Sequence, residues 1–220
     1  MGRNTEERYD ELVNRMLSEY LFIDRGYQLS AICRLLAQPD RVGSFGREDR
    51  KSNSATTESD RWITLNLQDS SGRQLAFTEV GSGLGYVLPV LTAACDFALP
   101  VAVLQQPELH LHPALQSKIG DVFVELASCA SLRLPRRRLI VETHSEHLLL
   151  RILRRVRQTT ANLGNPELRV RPDDLCVVYF DPQINGTTTV NRLRVSADGD
   201  FIDRWPRGFF DERDEDLFDE

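Results

Sequence analysis

The sequence predicts an α/β fold: a parallel sheet with crossover helices and antiparallel edge strands. Three observations lead there. Short apolar runs, PVAVLQ at 100–105, RLIVET at 138–143 and LCVVYF at 175–180, alternate with longer stretches of helical apolar spacing. That order, strand–helix–strand–helix–strand, is how a parallel sheet with crossover helices is built. Helix signals fall where the pattern needs them, with Pro113 at a first helical position and Ser145 as an N-cap. With 41% hydrophobic and 27% charged residues among 220, the chain has enough apolar material for a core and enough charge for a solvated surface.

The elements follow in order. Residues 5–22 carry Leu12, Met16 and Tyr20 near helical spacing and predict a helix. RVGSFGREDRKSNSATTESD, 41–60, is nearly free of apolar residues and reads as a flexible polar loop. Residues 1–60 are therefore expected to be a helical segment plus that loop, and 61–220 the main lobe. RWITLNLQD and RQLAFTEV, on either side of a Ser-Ser-Gly turn, read as two short strands. Tyr86 to Ala98 predicts a buried helix with Pro89 tolerated in its first turn. After the strand PVAVLQ, a helix from Pro113 buries Leu115, Ile119, Val122, Phe123 and Leu126. After RLIVET, a helix capped by Ser145 buries Leu149, Ile152, Leu153 and Val156, and Gly164 stops it. LCVVYF is the third strand, and TTTVNRLRVSADG adds antiparallel edge strands.

Composition excludes several classes. The net charge of −6 announces no global field for nucleic acid, although arginines gather between Arg133 and Arg157 and the chain closes on the acidic DERDEDLFDE. The arginines lack interleaved aromatics, so nucleic-acid contact is left unsupported. Cys33, Cys95, Cys129 and Cys176 form no CxxC, so reduced thiols in a cytoplasmic protein are expected. The start is charged and is no secretory signal. The longest apolar run, 86–104, contains Asp96, Pro89 and Pro100, which argues for buried elements and against a membrane span.

In an open parallel sheet, ligands bind beyond the C-terminal ends of the strands. One strand ends in Gln105-Gln106-Pro107-Glu108 and the next in Glu142-Thr143-His144-Ser145, and all four histidines, His110, His112, His144 and His147, lie just past those ends. HxH and HxxH pairs could bind zinc, but neither spacing matches a metalloenzyme signature. The plainer reading makes His110 and His112 structural residues of a turn that bond backbone carbonyls, whereas His144, between a strand and a cap, is placed for a ligand. A serine hydrolase is set aside because Val80 stands where the first glycine of GxSxG belongs. GSGLG likewise follows no long apolar strand, so a dinucleotide fold fails.

QPELHLHP after an apolar strand, then IVETHSEHLLLR, then WPRGFFDE at 205–212, together resemble the RecF/SMC-like branch of the ABC ATPases. More narrowly, they resemble the C-terminal half of AAA-type ATPases carrying the DUF3696 module, over roughly residues 62–212. The resemblance implies a partial ABC ATPase lobe. VGSGLGYVLP would be its signature segment, with Gly81, Ser82 and Gly83 facing a γ-phosphate bound by the opposite subunit. VAVLQQ would be the Walker B strand, with Gln105 in the place of the Mg²⁺-holding acid and Gln106 in that of the acid that polarises the attacking water. Glu108 would join the nucleotide site, His144 would be the switch histidine, and Leu109 to Pro113 a D-loop-like segment. The chain departs from the family in three ways. GxxxxGK[ST] occurs nowhere in it, both Walker B acids are amides, and Gly85-Tyr86 replace the usual Ser-Gln of the signature.

The resemblance thus implies a lobe that uses ATP and Mg²⁺ only in a site shared with a Walker A-bearing partner, an ATPase subunit or N-terminal half. An amide can accept a hydrogen bond but adds no charge to Mg²⁺ and cannot act as a base, so no turnover is expected of this chain alone. The alternative is a non-hydrolysing, ATP-gated scaffold regulating an effector. A nuclease or other effector, in a prokaryotic anti-phage defence complex, is the partner the family suggests.

Overall fold

The computed structural model describes residues 11–35, 61–96, 98, 100–128 and 137–204. The polar loop at 41–60, Arg133, Arg136, Cys129, WPRGFFDE and the acidic tail lie outside these residues.

Helix α1, residues 11–21, widens into a π-turn over Met16–Leu21 and buries Leu12, Val13, Met16, Leu17 and Leu21. Strand β1 (Gln28–Leu35) follows, then β2 (Arg61–Gln68), and the two pair antiparallel from Gln28↔Gln68 to Leu35↔Arg61. The sequence reading leaves β1 unassigned. Its residues, QLSAICRL, acquire strand character by pairing with a segment that is distant along the chain.

The second hairpin strand is much shorter than expected. Only β3 (Gln74–Leu75) pairs with β2, and the chain then turns at Phe77 to Glu79. The Glu79 carboxylate accepts a hydrogen bond from the Ala76 backbone at 2.8 Å, and the Glu79 N–H donates to the Ala76 carbonyl at 2.9 Å. This local bonding competes with the ladder and ends the strand.

Helix α2 (Ser82–Cys95) starts four residues before the predicted Tyr86, so Pro89 lies inside the helix and not in its first turn. Its buried stripe is Leu84, Val87, Leu88, Leu91, Ala94 and Cys95. Glycines at 81, 83 and 85 hid the start, because glycine is a poor helix former.

The βαβ unit is as predicted. Strand β4 (Val101–Gln105) and strand β5 (Arg138–Glu142) pair in parallel, from Val101↔Arg138 to Gln105↔Glu142. Helix α3 (Pro113–Ser128) connects them, burying Ile119, Val122, Phe123 and Leu126. Helix α4 (Glu146–Thr160) packs on α3. A side chain on Gly120 would come within 3.0 Å of the Leu148 carbonyl, so this glycine sets how closely the two helices approach. Across the same contact, the buried Asp121 accepts two hydrogen bonds from Arg155, at 2.7 and 2.8 Å. One core joins α1, α2, α3, α4 and the inner face of β4 through Leu17, Leu91, Ile119, Leu148 and Leu104.

The third apolar run does not extend the parallel pair. Strand β6 (Val177–Pro182) forms an antiparallel hairpin with β7 (Thr188–Leu193), a separate sheet among the described residues. Gly186, at φ +81, lets the chain reverse between them. A nearby antiparallel partner six residues away closes at low loop entropy and outcompetes the parallel register. The edge segment then folds back on α4. Gly199 sits against the Leu153 carbonyl while Arg157 donates to the Asp198 carbonyl at 2.6 Å and to Asp200 at 3.0 Å.

Among the described residues, one face of the parallel pair is open. Val103 is 73% exposed and Ile140 57%, with Val101 beside them, while Ala102 and Leu104 point into the core. Parallel sheets are normally covered on both faces. No helix of the described residues is long and apolar enough to cross a membrane.

Candidate functional site

Two groups of the predicted residues come together in two places joined by the loop 106–112. The first is the C-terminal tip of the parallel pair. Register sets Gln105 directly beside Glu142, and the Gln105 side-chain amide donates to Glu142 Oε1 at 3.4 Å. The Gln106 backbone N–H donates to the Glu142 carbonyl at 2.8 Å, continuing the ladder one residue past the strand. Gln106 then takes φ +44, a left-handed conformation that costs a non-glycine residue about 1 kcal/mol or more and turns the chain sharply off the sheet.

That turn carries Glu108 inward. It is 7% exposed; its Oε1 accepts the His144 backbone N–H at 2.7 Å, and its Oε2 is buried without a hydrogen-bond partner among the described residues. The carboxylate therefore ties the loop after β4 to the loop after β5. The His144 side chain itself is exposed. Ser145 caps α4 as predicted, its Oγ accepting from Leu148 N–H at 3.1 Å and donating to Gln116 Oε1 at 2.6 Å. Gln116 in turn donates to the Leu111 carbonyl at 3.0 Å, so α3, α4 and the loop are pinned at one corner.

The second place is the start of α2. Gly81 is its N-cap at φ −59 and ψ 147, with no side-chain cap bond. Gly81, Ser82 and Gly83 line a shallow cleft of about 230 Å³ together with Phe22, Tyr27, His110 and His112. His110 stacks on Tyr86 with ring centroids 4.2 Å apart, and it too holds a positive φ of 60°. His112 Nδ1 accepts the Ala114 N–H at 3.2 Å. Instead of bonding a backbone carbonyl, it caps the start of α3. The orphan N–H groups of a helix's first turn and its dipole make such an end attractive to anions.

The lining of this cleft includes neither Gln105, Gln106 nor His144. The glycines and the strand tips are thus two surfaces of the chain, with the loop 106–112 between them. No cluster of three or more His, Cys, Asp or Glu able to hold a metal occurs among the described residues.

Sequence reasoning placed its weight on the two amides and passed over Glu142. The signal was present, since Glu142 ends the neighbouring apolar strand. Only the parallel register, however, shows that the acid stands next to the first amide.

A much larger cleft of about 570 Å³ lies away from these tips, between α4 and the turn at 199–201, lined by Leu150, Arg154, Arg157 and Asp200.

Comparison with known proteins agrees with the resemblance seen in the sequence. Residues 3–151 match the family described as AAA domain, putative AbiEii toxin, type IV TA system, and residues 170–219 match DUF3696, a protein family of unknown function. No curated protein matches the chain at a significant level. A solved structure from work on ATP-driven dimerization and DNA-stimulated activation of SMC ATPases aligns over 86% of this chain and 85% of that one. The identity is 10% and the TM-score 0.47, a likeness too remote to fix the fold by itself. With well over half its length matched, the chain belongs to the AAA-domain family described by that model, an AAA/ABC-type ATPase lobe followed by a DUF3696 segment.

Proposed function

We propose that the chain is the C-terminal lobe of a split or heteromeric ABC-type ATPase, completing a nucleotide site with a partner that carries Walker A. The observation that carries this reading is the parallel pair itself. Two adjacent strand tips deliver Gln105, Gln106 and His144 to one end of a sheet, where phosphate chemistry in this fold is done. AAA-type ATPases use ATP with Mg²⁺. The residues present suit only part of that ligand. Mg²⁺ is commonly held by one or two carboxylates plus phosphate oxygens, and the tip offers a carboxylate at Glu142. The triphosphate grip, GxxxxGK[ST], is missing from the sequence.

The open sheet face supports a second polypeptide. Val101, Val103 and Ile140 form an apolar surface on the same strands whose tips bear the site. In the proposed assembly Gly81, Ser82 and Gly83 present the α2 N-terminus to a phosphate held by the partner, and His144 senses the γ-phosphate. Glu108 serves the site from behind, as the buried tie to the His144 loop.

A second reading is favoured by the two amides. With Gln105 and Gln106 neutral, transition-state charge is poorly supported, and loss of such positioned charge lowers rate by roughly a hundredfold or more. The lobe would then serve as an ATP-gated scaffold that lingers in a closed, nucleotide-bound state and regulates an effector, in a cytoplasmic defence-type complex.

ATP hydrolysis by the chain alone, and by the chain mixed with a Walker A-bearing polypeptide, separates the readings. Turnover only in the mixture supports the composite ATPase. ATP-dependent association without turnover supports the gate. If Gln105→Asp with Gln106→Glu changes neither turnover nor association, the strand tips are not the site.

A further inference from the structure

Gln105 and Gln106 have no charge to offer a cation, yet the tip is not without negative charge. The parallel register puts Glu142 abreast of Gln105, and the two side chains touch through a 3.4 Å hydrogen bond. Glu142 is exposed, and its backbone carbonyl is fixed by the Gln106 N–H. The other carboxylate at this end, Glu108, is buried with one oxygen committed to the His144 N–H. Its second oxygen has no hydrogen-bond partner among the described residues.

We propose that Glu142 supplies the carboxylate that holds the nucleotide's divalent cation, so that the acid of this site has moved from the tip of β4 to the tip of β5. This rests on the strand tips being the nucleotide site. Glu142 stands abreast of Gln105 at the end of the ladder, so an ion held at this tip would meet a charged oxygen there. A hard cation prefers oxygen donors and gains most from the charged one. The buried carboxylate of Glu108 adds negative potential behind the same loop, where little solvent screens it. Gln105 then has a purpose as an amide: its N–H₂ orients the Glu142 carboxylate, which a second acid at 105 would repel.

The test uses the chain reconstituted with its Walker A-bearing partner and measures the Mg²⁺ concentration that half-saturates binding of labelled ATP, with Mn²⁺ titrated in parallel. Glu142→Gln is expected to raise that concentration by about tenfold or more, the loss of one unit charge beside the ion. Adding Gln105→Glu to Glu142→Gln, which returns the charge one strand over, is expected to recover most of it. Circular dichroism and thermal melting of the variants check that the exposed site tolerates the changes. If Glu142→Gln leaves the cation requirement unaltered while His144→Ala weakens ATP binding, the assignment to Glu142 is overturned and the site stands. Sensitivity at Glu142 without recovery by Gln105→Glu assigns it a structural role and also overturns the proposal. If the wild-type complex binds no ATP, the site and the proposal fall together.

Discussion

Replacing Gly199 with alanine tests how the DUF3696 segment is held against the ATPase-like lobe. Gly199 sits at φ +71 in the turn after β7, and a Cβ built on it would lie 2.2 Å from the Leu153 carbonyl oxygen and 3.1 Å from its carbon. Both atoms are backbone of α4, so neither can swing aside. Two costs add. Alanine in the left-handed region loses roughly 1–2 kcal/mol relative to glycine. Forcing a methyl into an occupied space costs about 1–3 kcal/mol more, or lifts the turn off the helix. Lifting it would forfeit the Arg157 bonds to Asp198 and Asp200, which are exposed and contribute little. The expected loss is therefore about 2–5 kcal/mol. It should appear either as a lower urea midpoint of the whole chain or, if the segment detaches locally, as faster amide exchange confined to 194–204 with the midpoint unchanged. An unfolding free energy within about 0.5 kcal/mol of wild type together with native exchange rates would refute this docking.

Three further outcomes follow from the same structure. Asp121→Ala removes a buried carboxylate that takes two bonds from Arg155 and lies 3.6 Å from Arg151. It should destabilise by about 3 kcal/mol in urea unfolding, and a loss below about 1 kcal/mol would show the pair to be solvated. Ser145→Ala deletes the α4 cap and should cost about 1 kcal/mol, with a larger effect on exchange at Leu148 N–H than elsewhere in the helix. The last concerns acid. Hydrogen bonds from Arg194 hold Asp203 down to about 2, below its ordinary value near 3.8. The depressed group stabilises the folded turn above the unfolded pKa, and this contribution fades as pH falls from about 4 to about 2. NMR titration should show the 194–203 closure loosening in that interval, with an Asp203→Asn variant insensitive to it.

The βαβ unit was legible because its signals are local. Each apolar run is short and bounded, Pro113 and Ser145 mark helix starts, and α3 and α4 bury the stripes their spacing predicts, Leu115 and Ile152 only in part. What failed depended on partners far along the chain. Strand β1 is defined by pairing with β2 and has no strong alternation of its own. β6 has the apolar content of a parallel strand, yet takes its neighbour β7 instead. RQLAFTEV looks like a strand until Glu79 bonds back to Ala76.

The candidate site divides the same way. Gln105, Gln106, Glu108 and His144 were picked out as residue types at strand ends. Their separate circumstances were not visible: Glu108 buried on the His144 N–H, His144 exposed, and the glycines of 81–83 facing His110 and His112 on another surface.

By itself, then, the sequence determined the family and the order of the central elements, since each resides in contiguous residues. The tertiary structure alone decided which acid stands beside which amide, and which face of the sheet stays open. Register and burial arise when segments distant in the chain meet, and no local pattern encodes the meeting.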